Sequence, residues 1–64
     1  MIYILKGDKM RNFLFYDRET GEHFIVETEN KERAYVCACI FFEKPKLIQE
    51  ITEWEADALG YDTY

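Results

Sequence analysis

Sixty-four residues carrying 8 Lys and Arg against 13 Asp and Glu, a net charge of −5, make one small domain spanning 1–64, with no room for a catalytic domain beside a regulatory one or for a solenoid. A content of 48% hydrophobic and 17% aromatic residues excludes a disordered segment; two Cys and one His are fewer than a closed zinc site requires, and the lack of any serine removes every serine nucleophile. The acidic balance repels nucleic acid and anionic membranes and favours a basic partner.

Ile2–Leu5 is a short apolar, β-prone run closed by a turn at Gly7-Asp8, so a first strand is expected there. The start Met-Ile-Tyr-Ile-Leu has no basic leader region and its apolar run stops at Lys6, so no export signal is expected and the expected location is the cytoplasm. Phe13-Leu14-Phe15-Tyr16 reads as a second strand, and Gly21 supplies the positive-φ position of a hairpin loop leading into a third over Glu22–Thr28, with Phe24 and Val26 on one face and His23, Ile25 and Glu27 on the other. Asn30 is a good N-cap for a helix over 31–43, which Lys44-Pro45 must end because proline cannot continue the ladder. Residues 46–51 are either a fourth strand, with Leu47, Gln49 and Ile51 on one face, or the start of a longer helix. Thr52-Glu53-Trp54-Glu55 matches a capping box and decides for a strand, with a short helix over Glu53–Leu59 stopped by Gly60 and a flexible tail over 60–64. The expected fold is α+β: a small antiparallel meander of three strands plus a fourth, in the order 3-2-1-4, with one apolar helix and a short C-terminal helix on one face.

Chemistry is thin. Cys37 and Cys39 stand about 200° apart around a helix axis and cannot bridge each other, and with His23 they fall short of a metal site, so they read as small buried hydrophobes. His23 beside Glu22 could serve a cysteine nucleophile, but no residue is placed to orient it, so no catalytic residue, metal or cofactor is assigned. Lys6, Lys9 and Arg11 with Phe13 and Phe15 nearby suggest a nucleic-acid hairpin, yet they act against the net charge and the core needs both rings.

Two surfaces stand out. In the first helix Ala34, Cys37, Ala38 and Phe41 form the stripe expected to face the sheet. Tyr35, Cys39, Ile40 and Phe42 populate the rest of the circumference and become candidates for self-association, as in a homodimer. Lys6, Lys9, Arg11 and Arg18 against Asp8 and Asp17 give the first 18 residues +2, which leaves −7 for the rest; after Lys46 every charge is acidic. Glu50, Glu53, Glu55, Asp57 and Asp62 with Tyr61 and Tyr64 are therefore the candidate contact set for a basic protein surface.

This profile, a very short acidic chain with few cysteines and no catalytic constellation, resembles the small accessory proteins that phages encode, including anti-CRISPR and other anti-defence inhibitors. The resemblance covers the chain as a whole and no particular residue. It implies a non-enzymatic inhibitor in the host cytoplasm, often dimeric, whose acidic surface occludes the nucleic-acid groove of a host complex.

Overall fold

The computed structural model describes residues 10–64. Strand β1 (Arg11–Asp17) pairs antiparallel with β2 (Glu22–Thr28), helix α1 (Lys31–Phe41) follows, strand β3 (Pro45–Ile51) pairs antiparallel with the other edge of β1, and helix α2 (Glu53–Leu59) closes the order. This is the expected α+β class, three antiparallel strands with a long and a short helix. The strand order is different: it runs β2-β1-β3, so the segment after Pro45 joins the central strand rather than a strand at the N-terminus. The expected strand Ile2–Leu5 lies outside the described residues, and the position beside β1 that a meander would give it is held by β3. The strands β2 and β3 are parallel to each other with β1 between them, a split βαβ arrangement in which α1 crosses over β1.

The hairpin forms because its turn is chemically specified. Gly21 takes φ +80° and its amide donates to the Asp17 carbonyl at 2.8 Å. This sets a register in which Phe13 faces Val26 and Phe15 faces Phe24. Those four rings and branches project to one side, where Ala34 and Ala38 of α1 sit fully buried on them. Two alanines let the helix approach closely enough for the rings to fill the space, so the core is built from sheet aromatics under a smooth helix face.

Helix α1 starts at Asn30, whose side chain accepts from the Arg33 amide at 2.8 Å. It stops at Phe41, two residues before the expected end at 43, because Phe42 turns to extended backbone and stacks its ring on Phe24 at 3.9 Å between centroids. The fourth place on the buried stripe thus belongs to Phe42, while Phe41 is 57% exposed.

In β3 the expected single face of Leu47, Gln49 and Ile51 is broken. Leu14 pairs with Gln49 but Phe15 pairs with Leu47, so Ile48 is an extra residue that bulges the strand. Leu47 consequently joins Phe15 on the α1 side, whereas Ile51, opposite Asn12, is buried on the other side. That far side is where α2 packs, against β1 and β3, so the helices lie on opposite faces of the sheet rather than together on one. Thr52 makes the capping box in full, accepting from the Glu55 amide at 3.1 Å while its own amide donates to the Glu55 carboxylate at 2.9 Å, and Gly60 ends the helix at φ +70°.

Residues 61–64, read from the sequence as a free tail, run parallel along the outer edge of β2. The Ile25 amide donates to the Asp62 carbonyl at 2.9 Å, the Tyr64 amide to the Ile25 carbonyl at 2.8 Å, and the Glu27 amide to the Tyr64 carbonyl at 3.0 Å. Tyr61 stacks on His23 and Tyr64 stands edge-on to Phe24 and Phe42, which shields both sides of β2 and accounts for the burial of Ile25 as well as Phe24 and Val26. Among the described residues no helix is long and apolar enough to cross a membrane.

Candidate functional site

The carboxylates singled out from the sequence separate into three kinds. Glu50 is bound by Arg11, with Nε donating to Oε2 at 2.8 Å and Nη2 to Oε1 at 2.7 Å. That paired hydrogen bond holds the Glu50 carboxyl below its ordinary pKa and the guanidinium above its own. Glu55 is occupied by the cap at Thr52. Glu53 and Asp57, one turn apart on α2, have no ion-pair partner among the described residues.

Between those two free carboxylates stands Trp54, 85% exposed, more than any other large apolar side chain described. The three border a shallow hollow on the outer side of α2. A second hollow beside it is lined by Asn12, Glu27, Glu53, Asp57 and Tyr61, so Glu27 of β2 adds a carboxylate to the same acidic surface. Trp54 points out because the cap fixes the rotation of the helix: Ala56 is its one partly buried residue, and Trp54 is two positions, about 200°, away from it.

The tyrosines divide too. Tyr61 borders the acidic hollow while its ring stacks on His23 at 5.2 Å, and His23 in turn packs on Tyr16 at 4.9 Å. Tyr64 is turned to the opposite side, onto Phe24, Phe41 and Phe42, and Asp62 contributes its backbone to the pairing with β2. The contact set expected from the sequence is therefore not one surface. The structure brings together Glu53, Asp57 and Tyr61, and it adds Trp54 and Glu27. Trp54 had a signal in the sequence, a tryptophan placed between two first-turn glutamates at a position the cap already defines; Glu27 had none, since only the sheet register carries it to α2.

On α1, Val36, Cys39 and Ile40 are exposed on the side away from the sheet, Ile40 at 72% and Val36 at 61%, whereas Tyr35, at the helix flank, tilts its ring toward Phe15 at 6.3 Å between centroids and Phe42 leaves that candidate set for the core. Cys37 is half-buried against the core, while Cys39, on the opposite side of α1, is exposed and departs from the reading of both cysteines as buried hydrophobes. Thiol labelling of single-cysteine variants in dilute native protein is expected to modify Cys39 at least about tenfold faster than Cys37, since the Cys37 thiol is partly covered by the core. Equal rates would mean that α1 is rotated from the orientation described.

His23 projects from the α2 side of the sheet and both cysteines sit on α1 at the other side, so the sheet stands between them. Among the described residues no three His, Cys, Asp or Glu side chains gather as metal ligands. The basic hairpin considered from the sequence loses its parts: Lys6 and Lys9 lie outside the described residues, Arg11 is engaged by Glu50, and Phe13 and Phe15 are buried at 1% and 0% exposure, with no face free for a base. No protein-family model, no curated protein and no solved structure matches this chain.

Proposed function

We propose that this chain is a non-enzymatic protein-binding module that seats the outer face of α2 on a basic protein surface and blocks it. The observation that carries the reading is Trp54, held 85% exposed between two carboxylates that no described cation neutralises. An indole left in water at the centre of a small folded domain's charged face is costly for solubility and gives the fold nothing, whereas in a contact it supplies a large rigid anchor. Glu53, Asp57 and Glu27 around it favour lysine and arginine on the partner, which can also lie over the indole ring. A basic groove that holds nucleic acid has this complementary chemistry, and the profile shared with phage anti-defence proteins supports a host nucleic-acid-handling complex in the cytoplasm as the target class.

The test leaves the fold's own carboxylates alone. Trp54→Ala and the pair Glu53→Gln with Asp57→Asn alter only exposed side chains, while Glu50 and Glu55 stay to hold Arg11 and the cap. Tagged wild-type protein and both variants are compared in pull-downs from bacterial lysate, and affinity for the captured protein is then measured. Trp54→Ala is expected to weaken binding about 30-fold or more, the size of a central aromatic hot spot. The carboxamide pair is expected to reduce the salt dependence of association, with Glu27 retaining part of it. Capture and affinity unchanged in both variants would remove the α2 face from the function.

A further inference from the structure

Helix α2 has little of its own to hold it in place. It is seven residues long, none of its side chains is buried, Ala56 alone is half-buried, and Trp54 and Leu59 stand 85% and 41% exposed. An isolated helix shorter than about 12 residues is marginal in water. In a folded domain such a helix ordinarily keeps its position by an apolar face, which here is reduced to Ala56. What fixes α2 lies beyond its two ends: before Thr52 the chain is anchored by Ile51, buried in β3, and after Gly60 by the pairing of residues 61–64 with β2. We propose that residues 61–64 are a latch that positions the Trp54 face, holding α2 across the sheet from β3 to the outer edge of β2 while they are docked and letting it come apart when they leave. This rests on the reading of the α2 face as the contact surface, and adds what keeps that surface in shape.

The latch is seated on both faces of the sheet. Along the edge, the Asp62 carbonyl accepts from the Ile25 amide at 2.9 Å, the Tyr64 amide donates to the Ile25 carbonyl at 2.8 Å, and the Tyr64 carbonyl accepts from the Glu27 amide at 3.0 Å. These bonds satisfy an edge whose amides would otherwise need water or another strand. On the α2 side the Tyr61 ring stacks on His23 at 5.2 Å and borders the acidic hollow with Glu53, Ala56 and Asp57. On the other side Tyr64 packs on Phe41 at 5.0 Å and stands edge-on to Phe24 and Phe42, beside the end of α1, whose residues between Arg33 and Glu43 carry no charge. Tyr64 is thus a positioning residue. It sits on the neutral face of the molecule and acts on Trp54, on the acidic one, through the backbone that leaves α2 at Gly60.

The latch is light enough to open. It consists of edge hydrogen bonds and two tyrosines that keep 36% and 40% of their surface in solvent, whereas Phe15 and Phe24 beneath α1 are sealed. Segments with few buried contacts open at a lower free energy than the core, so α2 and residues 61–64 form one unit of local opening over a core that stays folded. Whatever competes for the β2 edge or for the seat of Tyr64 therefore loosens the Trp54 face without touching it. A partner held by Trp54, Glu53 and Asp57 in turn keeps the latch closed, because linkage between two sites is reciprocal.

Amide hydrogen exchange of the protein alone tests the latch. The amides to follow are those of Ala56 and Gly60, bonded within α2 to the carbonyls of Thr52 and Ala56. Inserting Gly-Gly-Gly between Gly60 and Tyr61 slackens the tie to α2 while leaving each tail residue its seat. It is expected to lower the protection of both amides at least about tenfold while the amides of α1 and β1 keep theirs. Tyr64→Ala, which unseats the latch itself, is expected to lower the same two amides beyond any loss they share with β1. Trp54 is the only tryptophan in the chain, so the anisotropy of its emission is expected to fall in both variants. A Tyr64 that only fills the core would lower α2 and β1 together and leave the insertion without effect, and either result would overturn the proposal. These measurements need no partner. Loosened α2 amides with undiminished affinity for the captured protein would leave the latch standing and remove the α2 face from the contact.

Discussion

Phe24→Ala is expected to leave the protein without a cooperative thermal transition at room temperature. The ring is 1% exposed and touches every part of the main core: it stacks on Phe15 at 5.3 Å and on Phe42 at 3.9 Å, and takes the edge of Tyr64 at 5.8 Å. Its removal therefore takes away at once the surface on which Phe42 at the end of α1 and Tyr64 of the tail both rest. Truncating a buried phenylalanine costs about 3–5 kcal/mol, and a single core of this size supplies rarely more than about 3–5 kcal/mol in total. Phe41→Ala, one residue from Phe42 but in solvent over half its surface, should move the midpoint by only a few degrees. Far-UV circular dichroism of both variants on heating checks the contrast, and a sharp melt in Phe24→Ala close to that of wild type would show that the core is not organised around this ring.

The second large effect is at Asp17, the one buried charged residue described, at 1% exposure. Burial pushes its pKa up. Hydrogen bonds from the Lys44 amide at 3.1 Å, the Thr20 hydroxyl at 3.0 Å and the Glu19 amide at 3.4 Å together outweigh that and hold the carboxyl below its ordinary value. One side chain thereby ties the hairpin turn to the link between α1 and β3. Because the folded pKa lies below the unfolded one, the stabilisation is present in full above the unfolded value, near pH 4, and is lost as pH falls through the folded value. Asp17→Ala is expected to lower the melting temperature at neutral pH by on the order of 10 °C, since it strands the Lys44 amide and the Thr20 hydroxyl. Asp17→Asn should lose less and should flatten the fall in stability below about pH 4. Glu50 and Glu29, also held below their ordinary pKa by hydrogen bonds from Arg11 and Thr28, keep part of that slope in both proteins, so the difference between wild type and Asp17→Asn is the quantity to measure. Superimposable acid titrations of the two proteins would mean that Asp17 is not ionised in the fold.

Features that depend on a few adjacent residues are the ones that were legible. Asn30, the Thr52 box and Gly60 each specify a helix end by local hydrogen bonding or backbone conformation, and α2 lies over Glu53–Leu59 as its caps require, whereas the stop expected from Pro45 sets the end of α1 too late, since the helix closes at Phe41. The hairpin and its Gly21 are of the same kind. What sequence spacing does not carry is pairing between distant segments. The side of β1 that β3 chooses and the docking of residues 62–64 on β2 are decided by where apolar surface is left uncovered. The same divide runs through the candidate surface. Glu55 could be recognised as consumed by its own capping box, but Glu50 is taken by Arg11, 39 positions away, and only three-dimensional pairing reveals that Glu53 and Asp57 are the carboxylates of α2 left free. At the end of α1, helix periodicity favours Phe41 for the core, and the stacking of Phe42 on Phe24 overrules it.

The bulge at Ile48 has a consequence for how the molecule presents itself. A strand of strict alternation would deliver every second side chain to one layer, and the chain leaving it would emerge on the same side as α1. One inserted residue shifts the parity, so that Leu47 belongs to the layer under α1 and Ile51 to the layer under α2. The count of residues between Pro45 and Thr52, odd or even, thus acts as a selector for the hemisphere on which Trp54 stands. Chain length in this one strand, rather than the composition of either helix, keeps the neutral face and the acidic face back to back.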